Sequence, residues 1–283
     1  MDIFPLPFFE WVFDDVVRLV AAGIVFQLLS HWFPFREQES PREVIWDIVA
    51  MLFASICVVL YGEIVGAWLV STLTVVPVLE VWYEIIAPLP LFGLLLGTLL
   101  LGDFFAYWTH RLMHTTKLGW QQHAWHHTPK HIWWLSGLRG TPLHLVLTMG
   151  PYTLGNIFFL PPDIAENSWI LTTVFIIGLI NQHGIHSNIR VPYPAIVEKI
   201  LVTPRFHFVH HSADIRFTNS NYGFIFSFWD KLFGSYTNPE CVAKDEQLGL
   251  DYRANYVKLM LGLPHSHLPP LEGENLASTP ATK

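Results

Sequence analysis

The sequence predicts an all-α membrane protein, a bundle of four to six transmembrane helices with a metal site at one end. Three observations predict it. The 283 residues are 52% hydrophobic and only 14% charged, with a mean hydropathy of +0.36, where a soluble domain carries ~25% charged residues. The apolar residues gather in runs near the ~20 residues that cross a bilayer. Ten of the 15 histidines fall in four tight clusters with helical spacing.

The first span is read over Trp11–Phe33 and the second over Val44–Val70, interrupted by Glu63. Ser71–Pro90, with Pro77, Glu80, Glu84 and Pro88, reads as a short hairpin or an interfacial helix. A third span runs over Leu89–Trp108. Without Pro or Gly after Gly102, its helix continues through His114. Thr141–Asn181 supplies a hairpin that turns at Pro161-Pro162 and returns from Ser168. The regions are 1–100, N-terminal spans; 101–240, the histidine-rich region; and 241–283, a C-terminal segment whose Pro-, Ser- and Thr-rich end from about 262 is expected to be disordered.

Charge fixes an orientation. With the N-terminus outside, segments 34–43, 110–140 and 188–283 face the cytoplasm and hold every Lys and Arg except Arg18, as the positive-inside rule requires. All four histidine clusters then lie at the cytoplasmic ends of spans. The net charge of −7 argues against a nucleic-acid partner, and no basic run marks a polybasic lipid patch. Cys57 and Cys241 form neither a zinc motif nor an expected disulfide. The N-terminus lacks a positive n-region, so the first span reads as an uncleaved anchor, and no C-terminal retention or lipidation signal is present.

The clusters are His110/His114, His123/His126/His127, His183/His186 and His207/His210/His211. Neutral imidazole is the commonest protein metal ligand, and residues three and four apart share a helix face. Each cluster can therefore aim rings at one point, and ten such ligands suit two metals. His110 and His114 continue a stripe that begins at Asp103 and Tyr107, and Asp103 at a span end needs a partner. Gly119 and Pro129 bracket a short helix for the second cluster. Thr203 as cap with Pro204 at the first helical position starts a helix for the last. His183 and His186 end the returning span. His31, His131 and His144 are isolated and read as satisfied polar groups, and His265 and His267 as solvated tail residues.

At these residues the chain resembles the fatty acid hydroxylase/sterol desaturase superfamily of membrane di-iron enzymes. The resemblance covers about Leu101 to Tyr236: the HxxxH, HxxHH and HxxHH boxes are His110/His114, His123/His126/His127 and His207/His210/His211, and Asn221–Gly223 through Trp229–Tyr236 looks like the segment that follows the last box. His183 and His186 resemble the extra ligands supplied by the intervening hairpin. The resemblance implies a helical cytosolic cap over the membrane bundle, with two iron ions between them. It also implies O2-dependent attack on an unactivated C–H bond of a lipid, by hydroxylation or, with the same site, desaturation. Zinc could take the same site in a purified sample, since it ranks above Fe(II) in affinity.

Asp103 and Asp214 are expected to orient ligand rings through their outer N–H groups. Trp108, Trp120, Trp125, Trp133, Trp134, Phe206 and Phe208 read equally as an apolar substrate path or an interfacial belt. No flavin or nicotinamide fingerprint is present, so electrons are expected from a separate donor protein, with Arg139, Arg216 and Lys231 as docking charges. A metal transporter predicts ionisable residues in mid-span, and the one-sided clusters disfavour it. A metal-dependent hydrolase needs a general base beside the boxes. A multi-pass protein of a bacterial inner membrane is expected ahead of the endoplasmic reticulum. The substrate, whether sterol, acyl chain, ether lipid or carotenoid, is not encoded in the boxes.

Overall fold

Two continuous helical runs are long and apolar enough to cross a bilayer, Val44–Leu73 with a mean hydropathy of 2.4 and Leu91–Thr115 with 1.6. They belong to a computed structural model that describes residues 6–37, 43–167, 169–190 and 195–265. Among these the secondary structure is helical, joined only by isolated bridges such as Pro34 to Ile189. The expected tail lies outside the described residues from 266 on, as does His267. Gly262, where it was expected to begin, is anchored, because its carbonyl accepts from Gln121 and Gln122.

Helix α1 (Leu6–Trp32) is followed by α2 (Val44–Leu60), a wide π turn at Tyr61–Gly66 and α3 (Ala67–Leu73). The interruption at Glu63 is thus one wide turn inside a continuous run. Helix α4 (Pro77–Ile86) opens with proline at its first turn, where the missing N–H costs nothing. Helix α5 (Leu91–Thr115) is one rod from bilayer to metal site, as expected. Then come α6 (Lys117–His123), α7 (Pro142–Phe159), α8 (Pro162–Asn167), α9 (Ile170–Ile185), α10 (Ala195–Ile200), α11 (Pro204–His210), α12 (Ile215–Thr218), α13 (Phe228–Leu232) and α14 (Tyr256–Met260).

The expected four to six spans are therefore only partly met. Helix α1 forms over 27 residues but carries Glu10, Asp14, Asp15 and Arg18. The hairpin forms as α7 and α9, but α9 stops at 16 residues, short of the ~20 a crossing needs, and Pro151 lies inside α7. Outward side chains are nonetheless apolar: Phe13, Ile64, Trp68, Val78 and Phe92 stand exposed, an arrangement that water would penalise.

Small residues set the central packing. A Cβ at Gly155 of α7 would lie 2.5 Å from the Thr98 carbonyl of α5, and one at Gly102 would lie 2.7 Å from the Tyr152 ring. Glycine lets the two backbones touch, as membrane helices do. The contact brings the Tyr152 hydroxyl to Asp103 Oδ1 at 2.7 Å.

Below α5 the chain builds a polar platform. Arg139, 1% exposed, reaches Asp47 of α2 with Nε at 2.6 Å and Glu43 with Nη1 at 3.3 Å, and also donates to Thr128. Burial of this side chain removes Arg139 from the expected docking charges. Arg216 is exposed but paired with Asp214, and Lys231 is exposed with its ammonium 4.8 Å over the Tyr236 ring.

Candidate metal centre

Nine buried histidines converge in two groups. His110, His114, His123, His127 and His210 form one, and His126, His186, His207 and His211 the other. Within each group the ligand atoms lie within 4.8 Å of one another. The two HxxHH boxes are interleaved between them. In each box the first and fifth residues serve one group and the fourth serves the other: His123 and His127 against His126, and His207 and His211 against His210. Sequence spacing placed each box on a single face. The second box departs from that because α6 ends at His123, and tight turns follow, His126 N to His123 O and His127 N to Ala124 O.

Local sequence explains the placement. Thr203 accepts from the Phe206 amide and starts α11 as expected. Helix α9 carries through Gly184 to Ile185, so its end aims His186 inward. Gly137 is required beside it, since a Cβ there would lie 2.5 Å from His186 Cγ and Nδ1.

The outer nitrogens settle which atoms face inward. His110 Nδ1 donates to the Tyr222 carbonyl at 2.7 Å, His210 Nδ1 to Ser220 at 2.8 Å, His186 Nδ1 to Gln182 at 2.8 Å and His126 Nδ1 to Arg139 at 3.3 Å. His114 Nδ1 donates to Asn219 Oδ1 at 3.3 Å. A neutral ring that donates from Nδ1 has only a lone pair on Nε2. Five lone pairs therefore point inward, and those of His126 and His186 face each other at 3.1 Å. His114 Nε2 and His210 Nε2 are buried without a protein partner. Lone pairs cannot hydrogen-bond one another, and orphaned buried acceptors are costly. A cation within each group would satisfy the lone pairs of that group, so this donor set fits metal ions of the kind that take imidazole.

Burial keeps the rings neutral. It holds His123, His126, His127, His207 and His211 well below the ordinary histidine range, and neighbouring imidazoles push the same way. Burial also lowers His186 to about 4, against the opposing bond to Gln182.

The expected ring-orienting carboxylates lie elsewhere. Asp103 is fully buried and accepts from Tyr152, Trp229 and the amides of Ile225 and Phe226, with no histidine among these partners. Asp230 accepts from the amides of Tyr222 and Gly223, and burial pushes its carboxyl up to about 6. Together they clamp the 221–226 loop whose Tyr222 carbonyl receives His110, so Asp103 acts on the ring through backbone. Asn221 enters this loop with a left-handed φ of 57°. Asp214 caps α12 and pairs with Arg216, whose hydrogen bond holds its carboxyl below the usual range. It too touches no ring.

His183 stands outside both groups. Its Nδ1 donates to the Trp134 carbonyl and its ring packs near Phe26 and Trp134. His144 is the residue that spacing missed. It is 6% exposed, stacked on His123 at 4.9 Å, with the two Nδ1 atoms 2.9 Å apart. The available signal was Thr141-Pro142, which starts α7 and places His144 in its first turn, where Thr141 accepts the His144 amide. His31 and His131 lie outside the groups as expected.

A cavity of about 380 Å³ begins at the rings of His110, His123, His126, His186 and His207 and runs between α1, α2, α7 and α9. Its walls are mainly apolar, including Leu145, Met149, Val174 and Leu179. The expected aromatic bands do not line it. Trp125, Phe206 and Phe208 are buried in packing clusters, and Trp108 is 40% exposed at the surface.

Comparison with known proteins agrees with this arrangement. Residues 95–235 match the fatty acid hydroxylase family model. An ornithine lipid hydroxylase of Rhizobium tropici is 32% identical over 52% of this chain and 43% of its own length. The alkylglycerol monooxygenase of Homo sapiens is 29% identical over 47% of this chain and 28% of its own. Methylsterol monooxygenase 1 of Gallus gallus is 23% identical over 59% and 51%. The chain thus spans about half or less of the length of these relatives. No solved structure matches. The matched segment holds most of α5, both groups of rings and the loops that orient them, and the chain belongs to the fatty acid hydroxylase/sterol desaturase superfamily.

Proposed function

We propose that this protein is a membrane di-iron monooxygenase that hydroxylates a C–H bond of a lipid, with one iron in each histidine group. The observation that carries the reading is the apolar cavity, which ends on rings from both groups. The relatives, named as an ornithine lipid hydroxylase, alkylglycerol monooxygenases and a methylsterol monooxygenase, support a lipid substrate and hydroxylation rather than desaturation. Bound iron would supply O2 activation and an oxidant able to attack an alkyl C–H bond. The chain's own residues hold the metals with neutral rings, exclude water through burial and align an apolar chain along the cavity wall. Electrons come from a separate donor protein, for which the exposed Lys231 face offers a docking charge. The metal end lies on the cytoplasmic side of a bacterial inner membrane, on the strength of the Lys and Arg distribution. A hydrolase would need a free carboxylate beside the metals, and Asp103, Asp214 and Asp230 are each engaged elsewhere.

The test is iron and zinc content of anaerobically purified protein beside His207→Ala, then incubation with lipid extract under labelled O2. Two irons per chain, fewer in the variant, and a lipid product carrying one labelled oxygen atom are expected. Zinc alone, with no O2 consumption after iron reconstitution, would overturn the assignment.

A further inference from the structure

The far end of the cavity is polar, and nothing in the metal chemistry uses it. Asp15 of α1 and Ser55 of α2 both line the cavity, 7% and 0% exposed. The Ser55 hydroxyl faces the Asp15 carboxylate, yet its Oγ is buried without a hydrogen bond of good geometry. Asn156 of α7 also lines the cavity, farther along it, and its Oδ1 is buried and unpartnered. The nearest cation, Arg18, is exposed, with its guanidinium 5.7 Å over the Phe175 ring. An ionisable residue inside a membrane bundle is costly and marks a functional position. A buried carboxylate with a single serine hydroxyl beside it, facing a mainly apolar cavity, has spare acceptor capacity and calls for a ligand that supplies a donor.

Helix geometry gives the spacing. Gly23 packs on Trp134 at the level of the histidine platform, and Asp15 lies eight residues earlier, ~12 Å along α1. The wall between α1 and α9 is where a lipid enters: Leu171 and Phe175 line the cavity and are 39% and 47% exposed on the bundle's apolar outside.

Resting on the lipid-oxidation reading, the geometry points to a polar-group subsite formed by Asp15 and Ser55. It takes the hydroxyl or ammonium of a lipid whose apolar chain extends to the metals. The substrate class is a long-chain amphiphile with a hydrogen-bond donor at one end, oxidised at a carbon some 12 Å away on the same estimate. The subsite is a specificity determinant: it fixes which carbon lies at the rings.

Binding, not turnover, tests this. Iron-loaded protein in nanodiscs, kept anaerobic, is titrated with tritiated dodecanol, dodecylamine and dodecane, with empty nanodiscs as blank. Wild type is expected to bind dodecanol and dodecylamine at one site per chain, at least tenfold tighter than dodecane. Asp15→Leu should lose that tenfold preference without weakening dodecane. Asp15→Asn should keep dodecanol and lose dodecylamine if the ammonium is the recognised form, or keep both if the hydroxyl chemistry suffices. Ser55→Ala should lower both polar probes in part. Equal wild-type affinity for the three probes overturns the subsite, as does an Asp15→Leu variant of normal iron content that weakens all three alike. Because no oxidation is required, a protein that binds amphiphiles but never hydroxylates them refutes the enzymatic reading and leaves the subsite standing.

Discussion

The interleaving of the boxes makes a prediction that box membership alone would not. His123 and His126 lie in one HxxHH run, yet their rings serve different groups. His126 and His211 lie in different runs and share one. Replacing His126 with Ala leaves three rings in the four-ring group and all five in the other. Replacing His123 leaves four and four. The four-ring group has less redundancy, so His126→Ala, His207→Ala and His211→Ala should each fall from two metals per chain to about one. His123→Ala and His127→Ala should retain both with weaker affinity at one. A double replacement within the four-ring group, His126→Ala with His211→Ala, should still hold one. A triple replacement that also strips the five-ring group, His126→Ala with His110→Ala and His210→Ala added, should approach zero. Loss of partners that merely orient ligands already costs ~10–100-fold in affinity, and loss of a ligand should cost no less. The assay is metal content by mass spectrometry after dialysis against a weak chelator. If losses sort by box, so that His123→Ala and His126→Ala behave alike, the two-group assignment is wrong.

Other outcomes follow from single contacts. Gly137→Ala should push the His186 ring, whose atoms lie 2.5 Å from the new Cβ, and lose one metal with unchanged helical circular dichroism; full occupancy would refute the close approach. Asp47→Ala leaves the buried Arg139 charge with only half-buried Glu43, and stripping a buried ion pair of one partner costs ~3–5 kcal/mol. Thermal unfolding in detergent should register it, whereas a change within experimental error would remove the Arg139 platform from the argument. For the metal-free chain, burial holds the folded His123, His126, His127, His207 and His211 below their unfolded value of ~6.5. The unfolded chain then binds more protons as pH falls, so stability is full above about 6.5 and is lost on acidification, by ~1.4 kcal/mol per pH unit for each ring involved. A melting temperature independent of pH between about 7.5 and 5 would mean that the rings are not buried and neutral.

Much of the site was legible because metal ligands leave a local signature. Thr203-Pro204 specifies a helix start, uninterrupted residues after Gly102 specify a rod, and histidine spacing specifies which rings are near neighbours. What stayed hidden depends on contacts between distant segments. The splitting of each HxxHH box follows the carbonyls at Ser220 and Arg139, which receive His210 and His126 and which no spacing encodes. His144 meets His123 only because α7 crosses α5 at Gly102 and Gly155. Asp103 looked like a ring partner because it shares a helical stripe with His110, but a loop 120 or so residues on supplies amides that satisfy it first. Arg139 read as a surface cation because its burial partners, Glu43 and Asp47, lie some 90 residues earlier.

Helix α5 has 25 residues, which at ~1.5 Å per residue makes a rod of ~37 Å, against a hydrocarbon core of ~30 Å. The overhang is little more than one turn, which carries His114 and begins at about His110. A rod that is too long for its bilayer tilts, and one that fits stands upright. Lipid thickness is therefore a mechanical input to the ligand positions. A change of acyl-chain length in the surrounding membrane is expected to tilt the rod that carries His110 and His114, together with the 219–226 segment bonded to it. On the proposed function, the membrane around this protein would be both the reservoir of its ligand and a gauge on its metal geometry.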